Sequence, residues 1–287
     1  MRLLILCVLI FPLFAAKNNL FASFGVGLGA PFQTDFWQQT TKDNHSCEGG
    51  TCIGNKTSGS YAGKKSNSFN LSLGDEVFFD AYYISGLRIY GNIEYANASL
   101  GSLRAGSVSE EAARDKEFET ITGFDKFNTP TIGKVPMQSV PNPQDDLFAN
   151  GIWMTYGVNL DFFLNLPIDI LIRKFFWSKM PFFKIGVYAG GGVEYAMLRS
   201  NSWQNNTINK NEKFFASGSG VFANLGGSLY LGSHNRINVG IKIPYYSLNA
   251  QNWYDFGDPD PWKQQLLRQN FDISRGSEIK LSYTYLF

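Results

Sequence analysis

The segment Glu278–Phe287 alternates: Ile279, Leu281, Tyr283, Tyr285 and Phe287 share one parity, while Glu278, Lys280, Ser282 and Thr284 share the other. In a β-strand successive side chains point to opposite faces, so this strand has one greasy face and one wet face. A transmembrane β-barrel uses that arrangement, with lipid outside and a polar interior. The rival is an edge strand of a soluble sandwich. Which holds depends on whether the pattern has neighbours.

Seven further segments alternate in the same way, over about 23–32, 66–79, 84–98, 150–164, 182–198, 214–231 and 237–248. The expected fold class is therefore all-β, a transmembrane antiparallel barrel of eight strands. Pro244 falls inside the seventh strand and predicts a bulge or bend there. Long polar connections (33–65, 99–149, 199–213 and 249–275) alternate with shorter ones. That asymmetry is the rule for barrels, with short periplasmic turns and long extracellular loops. Residues 165–181 fit less well. Ile168, Leu171, Ile172, Phe175 and Phe176 have near-helical spacing, so the segment reads as an interfacial helix or as extensions of the flanking strands. Within the longest loop, Ser109–Phe118 is a charged, helix-compatible run, and Pro130–Pro143 looks irregular.

Arg2 followed by the apolar run Leu3–Phe14 and the small pair Ala15-Ala16 reads as a secretory signal peptide over 1–16, with cleavage after Ala22 as the alternative. The barrel domain is then 17–287. Of the three cysteines, Cys7 lies in the signal, leaving Cys47 and Cys52 as a pair in an exported chain. A disulfide is the favoured reading over zinc, because only His45 is nearby and no second cysteine pair exists. No other apolar run is long enough for a helical membrane span. A formal net charge of +1 gives no reason to expect a nucleic-acid partner.

The parity of the strands places Arg88, Lys184, Lys242 and Lys280 inside, with Glu94, Asp161, Glu194 and Glu278. An eight-stranded barrel is only just wide enough for its own side chains, and buried charges must pair. The expected result is a charge network that fills the lumen, with a narrow conduit as the rival. Catalysis is poorly served. His45 and His234 lie in connections at opposite ends, without a triad or metal-ligand cluster around them. No cofactor is expected. In loop 249–275, Trp253, Tyr254, Phe256 and Trp262 sit among acids and prolines, which suits either a partner-facing surface or a loop folded over the barrel mouth.

Three segments resemble the Helicobacter outer-membrane protein superfamily, the Hop and Hor families. Gly86-Leu87-Arg88-Ile89-Tyr90-Gly91-Asn92-Ile93-Glu94-Tyr95 is similar to a characteristic strand of that group. Gly240-Ile241-Lys242-Ile243-Pro244 is similar to another, and Ser282–Phe287 to its terminus. The resemblance covers the strands, not the long loops. It implies an outer-membrane barrel, in contact with outer-membrane lipid and lipopolysaccharide, inserted by the barrel-assembly machinery. Ile279, Leu281, Tyr283, Tyr285 and Phe287 would form the assembly signal. Members of the group include adhesins and porins. The chain lacks the large extracellular domain of the big adhesins, so a host-surface or other extracellular ligand would have to be met by its loops.

Overall fold

The computed structural model describes residues 17–80, 82–148, 150–166, 168, 183–205, 210–256 and 260–287. The signal peptide and most of 165–181 lie outside the described residues. The strands in chain order are β1 (Lys17–Asp43), β2 (Thr51–Phe78), β3 (Ser85–Ala98), β4 (Ser102–Leu103), β5 (Ser109–Glu111), β6 (Glu117–Phe124) and β7 (Pro130–Pro136). They continue with β8 (Gly151–Leu166), β9 (Phe183–Asn205), β10 (Lys210–Leu231), β11 (Asn235–Pro244), β12 (Ser247–Asp255), β13 (Leu266–Arg275) and β14 (Glu278–Leu286).

Eight walls close into a ring. β1, β2, β3, β8, β9 and β10 are single long strands in antiparallel succession. β11 and β12 make one wall, interrupted after Pro244 as its missing N–H requires. β13 and β14 make the last wall, interrupted at Gly276-Ser277. β1 closes the ring by pairing with β14 over Phe21–Leu28 and with β13 over Phe32–Thr41.

Gly29 explains how β1 does both. It has φ of 81°, and the register with β2 slips between Gly27 and Ala30. Such a φ is nearly free for glycine and costly for other residues. One inserted residue reverses the parity of everything beyond it. Phe24 and Leu28 therefore face outward, whereas Phe32 and Phe36, of the same parity, are buried inside.

Three of the long loops expected from sequence are largely strand. β1 runs on to Asp43 and β2 begins at Thr51, so a 27-residue and a 28-residue strand occupy most of 33–65. β9 and β10 likewise take up much of 199–213, and β12 and β13 much of 249–275. The cause is a change of solvent. Beyond the lipid band the alternation persists, but its polar residues face out and its apolar residues face in. Loop 99–149 holds short strands β4 and β5 on the upper part of β2, and a separate hairpin of β6 with β7. The run Ser109–Phe118 is extended rather than helical: β5 uses Ser109–Glu111 to pair with Lys56–Ser58, and Lys56 meets Glu111 across the pair.

β3 shows both zones on a single strand without a break. Its inward side chains pass from Arg88, Asn92 and Glu94 to Ala96 and Ala98. Its outward ones pass from Leu87, Ile89, Ile93 and Tyr95 to Asn97. The half nearer the short turns is apolar outside and charged inside; the half nearer the long connections is the reverse.

Candidate functional site in the lumen and at the long-loop end

All eight charges assigned to the lumen by parity face inward, but they do not form one network. Near the short turns Glu76, fully buried on β2, is contacted by Arg88 (Nε–Oε1 3.1 Å) and by Arg236, and the Tyr230 hydroxyl donates to it. Arg88 also donates to Ser228 and Tyr230 and lies over the Phe163 ring. Asp161 accepts from the Tyr90 hydroxyl at 2.8 Å and from Asn224. Lys184 stands apart at the short-turn end, donating to the Tyr82 carbonyl and lying over the Tyr83 ring.

The second group gathers around Glu94 at mid-barrel. Its carboxylate takes Lys280 at 2.7 Å, Lys242 at 3.2 Å and Arg275. Lys242 bridges to Glu194 at 2.6 Å, which also accepts from Tyr246. Glu278 takes Arg275 at 2.7 Å and Lys280 at 3.1 Å, and accepts from Ser68. Between the two groups is a small polar cavity of ≈ 70 Å³ lined by Asn70, Asn92, Asn159, Asn238 and flanking charges. It has room for only a few waters.

Sequence reasoning missed three members. Glu76 continues the even parity of Asn70 and Ser72 on β2, which was the available signal. Arg236 is the second residue of β11, two residues of which precede the alternation that begins at Ile237, and Arg275 falls in the polar stretch 249–275. With them the described inward set is six bases against five acids rather than four against four.

Above Glu94 an apolar layer crosses the lumen, and beyond it Gln269 donates to Gln38. Phe32, Phe36, Trp153, Leu198, Phe214 and Phe271 belong to one buried cluster that spans the interior. Phe36 packs on Tyr61 with ring centroids 5.0 Å apart. The Tyr61 hydroxyl donates to the Gln144 carbonyl, tying loop 99–149 to the mouth. Burial, then the charges of Asp145 and Asp146, push that phenol well above its ordinary pKa, so it stays a donor.

The long-loop end is braced. Cys47 and Cys52 are bonded, with Cα atoms 5.1 Å apart, at the tip of the β1–β2 hairpin. Asn44 of that tip donates to the Glu119 carbonyl of β6, and Thr120 donates to the Trp262 carbonyl. The four loop aromatics do not gather into one patch. Trp253 stands on the outer wall under Arg268 (4.0 Å from guanidinium to ring), Tyr254 and Phe256 are half-buried, and Trp262 lines an open groove with His45 and Ile132. The most exposed aromatic at this end is one that the sequence reading passed over. Phe127 is 76% exposed at the β6–β7 turn, with Phe124 and Ile132 beside it in sequence or across the hairpin. Asp125 fixes that turn by accepting from the backbone N–H groups of Phe127 and Thr129.

On β14, Ile279, Leu281, Tyr283 and Tyr285 all face outward, as does Phe287 just beyond it. Phe287 N–H donates to the Leu20 carbonyl, so this end is seated on β1.

A sequence model described as "Helicobacter outer membrane protein" matches residues 70–287. No curated protein sequence matches the chain. Among solved structures the chain is similar to OprG of Pseudomonas aeruginosa (12% identity, TM-score 0.35, covering 92% of this chain and 95% of that one). It is also similar to Ail of Yersinia pestis (11%, TM-score 0.30, 90% and 99%) and to the outer membrane protease OmpT of Escherichia coli (10%, TM-score 0.35, 95% and 98%). No residue role is carried over from them.

Proposed function

The chain belongs to the Helicobacter outer membrane protein family, and from that premise we propose that it is a closed, non-conducting barrel whose extracellular half serves as a rigid platform for surface contacts. The observation that carries this reading is the interior of the long-loop half. The apolar cluster of Phe32, Phe36, Trp153, Phe214 and Phe271 crosses the lumen where a conduit would have to run. Ions do not traverse a dry apolar plug, because desolvation costs far more than thermal energy. Below it, Glu76 is engaged by Arg88 and Arg236, and Glu94, Glu194 and Glu278 by Lys242, Arg275 and Lys280, which supports filling rather than passage.

The narrow-porin reading draws on the polar cavity between the two groups. Planar-bilayer recording of the refolded barrel separates the two. A closed barrel gives no steady unitary current, and reproducible channels would overturn the proposal. The reading is also non-enzymatic: His45 is exposed at the long-loop end and His234 at the short-turn end, too far apart to act together. Loss of a peptide- or lipid-cleaving activity on replacing His45 would refute that part.

The platform's partners are an extracellular or host-surface ligand, met by the braced cap and its exposed aromatics Phe127 and Trp262. Its route into the membrane is through the assembly machinery, which would read the outward residues of β14 together with Phe287.

A further inference from the structure

The lipid-facing wall has a gap. Gly91 on β3 faces outward, between Leu71 and Leu73 of β2 and Tyr156 and Val158 of β8. It leaves a trough of ≈ 680 Å³, walled by these residues with Ile93 and Val193. Neither backbone nor packing demands a glycine there. Its φ is not in the left-handed region, and a side chain would meet only the Gly157 carbonyl, at 3.9 Å. What the glycine provides is the open space.

Tyr195 of β9 borders the same trough, and Arg199 lies four residues beyond it, roughly 13 Å along the strand. Arg199 faces outward, opposite Ile152 of β8 and Phe215 of β10, and Phe215 is 56% exposed. Lys213, two residues before Phe215 on the same strand and nearer the long-loop end, is also exposed. Arg199 Nε donates to Asn201 at 3.0 Å, which orients the guanidinium. Among the described residues neither cation has a carboxylate within salt-bridge reach. Two cations with no carboxylate partner among the described residues thus sit where the apolar band ends, on the leaflet facing the long loops, in line with an apolar trough.

We propose that this wall binds one phosphorylated, acylated lipid of the outer leaflet. An acyl chain lies in the trough beside Gly91, and the phosphate is held by Arg199 and Lys213. A bidentate guanidinium and an ammonium are the usual holders of phosphate oxygens. Free phosphate would engage the cations but leave the trough unfilled, so a lipid is the occupant that uses both features. The site does not depend on whether the lumen conducts.

The test places the full barrel in phosphatidylcholine nanodiscs doped with diphosphoryl lipid A or with its dephosphorylated counterpart, and counts retained lipid by native mass spectrometry. Folding of every variant is checked by heat-dependent gel mobility. Wild type retains the phosphorylated lipid, and the dephosphorylated one no better than the background lipid. R199Q/K213Q lowers occupancy about tenfold or more, as loss of two basic residues at an anionic surface implies. Gly91→Leu lowers it without altering any charge. Inorganic phosphate equimolar with the lipid leaves retention unchanged, because it engages the cations without filling the trough. Equal retention of the two lipids, wild-type retention by R199Q/K213Q or by Gly91→Leu, or full displacement by equimolar inorganic phosphate would each overturn the proposal.

Discussion

The two halves of this barrel are built from the same strands and the same hydrogen-bond ladder, yet they solve opposite problems. In the short-turn half the outside meets lipid, so Phe24, Leu71, Val158 and Leu225 point outward and the charges point in. An interior that was also apolar would turn each strand into a continuous greasy run, hard to keep soluble before insertion. In the long-loop half the outside meets water, so Gln33 and Asp35 face out and Phe32, Trp153 and Leu198 are buried. The first half is held inside by charge pairing and the second by the hydrophobic effect. The ladder is indifferent to which face is wet.

That contrast can be broken most sharply at Glu94. Glu94→Gln removes the negative charge shared by Lys242, Arg275 and Lys280, leaving buried cations with too few acids. Breaking a buried pair of this kind costs about 3–5 kcal/mol. In the other half, Leu198→Ala opens a hole in the dry core and should cost about 3 kcal/mol. Urea midpoints of the refolded protein in lipid vesicles give both numbers. If Glu94→Gln is nearly neutral while Leu198→Ala is not, pairing does not hold the membrane half and the contrast fails.

A gentler probe puts the same lysine on the outer face of each half. Leu225→Lys places an ammonium in the lipid band and should cost about 2–4 kcal/mol. Gln33→Lys adds one to the wet outer face and should fall within about 0.5 kcal/mol of wild type. Similar penalties at both sites would mean that the lipid boundary has been drawn at the wrong level.

The membrane half was readable from sequence because its signal is a rule with two parts, apolar out and polar in, repeated eight times. Phe162 against Asp161 and Ile93 against Glu94 needed nothing from the rest of the chain. The upper half obeys the same period with its chemistry reversed, so Gln33, Asp35 and Gln39 looked like a polar loop. Nothing local tells a strand from a loop once the outward face becomes hydrophilic; only the pairing of Phe36 with Phe271 and Gly59 does so. The Gly29 bulge was equally hidden, since a glycine already sits at Gly25 and Gly27 without reversing parity. Pairing partners within the lumen follow from strand order and stagger, which is why Glu94 could be placed inside but not joined to Arg275.

The smallest expected effect compares the two ends rather than the two halves. Asp80, in the β2–β3 turn, accepts from the backbone N–H groups of Tyr82, Ile84 and Ser85. Partial desolvation pushes its carboxyl upward, but the N–H groups of Ile84, Ser85 and Tyr82 outweigh it and hold the pKa below the ordinary value. Asp125, in the β6–β7 turn, is lowered by the N–H groups of Thr129 and Phe127. A carboxylate depressed in the folded state contributes stability above its unfolded pKa of about 3.9, and that contribution is lost as pH falls through the folded value. Acidification below about pH 4 should therefore lower the hydrogen-exchange protection, relative to the intrinsic rate at each pH, of the Ile84 and Ser85 amides and of those of Phe127 and Thr129. Asp80→Ala and Asp125→Ala should leave the amides of the respective turn poorly protected at all pH values. The two ends should still differ in reach. Asp80 joins two strands of the closed ring, so its turn reseals against fixed walls and the loss stays local. The β6–β7 hairpin is a separate two-stranded sheet, marginal on its own, and loosening its turn should spread along β6 to the contact of Thr120 with Trp262. Exchange that spreads from Asp80 and stays confined at Asp125 would reverse this ranking and make the cap, not the ring, the more rigid body.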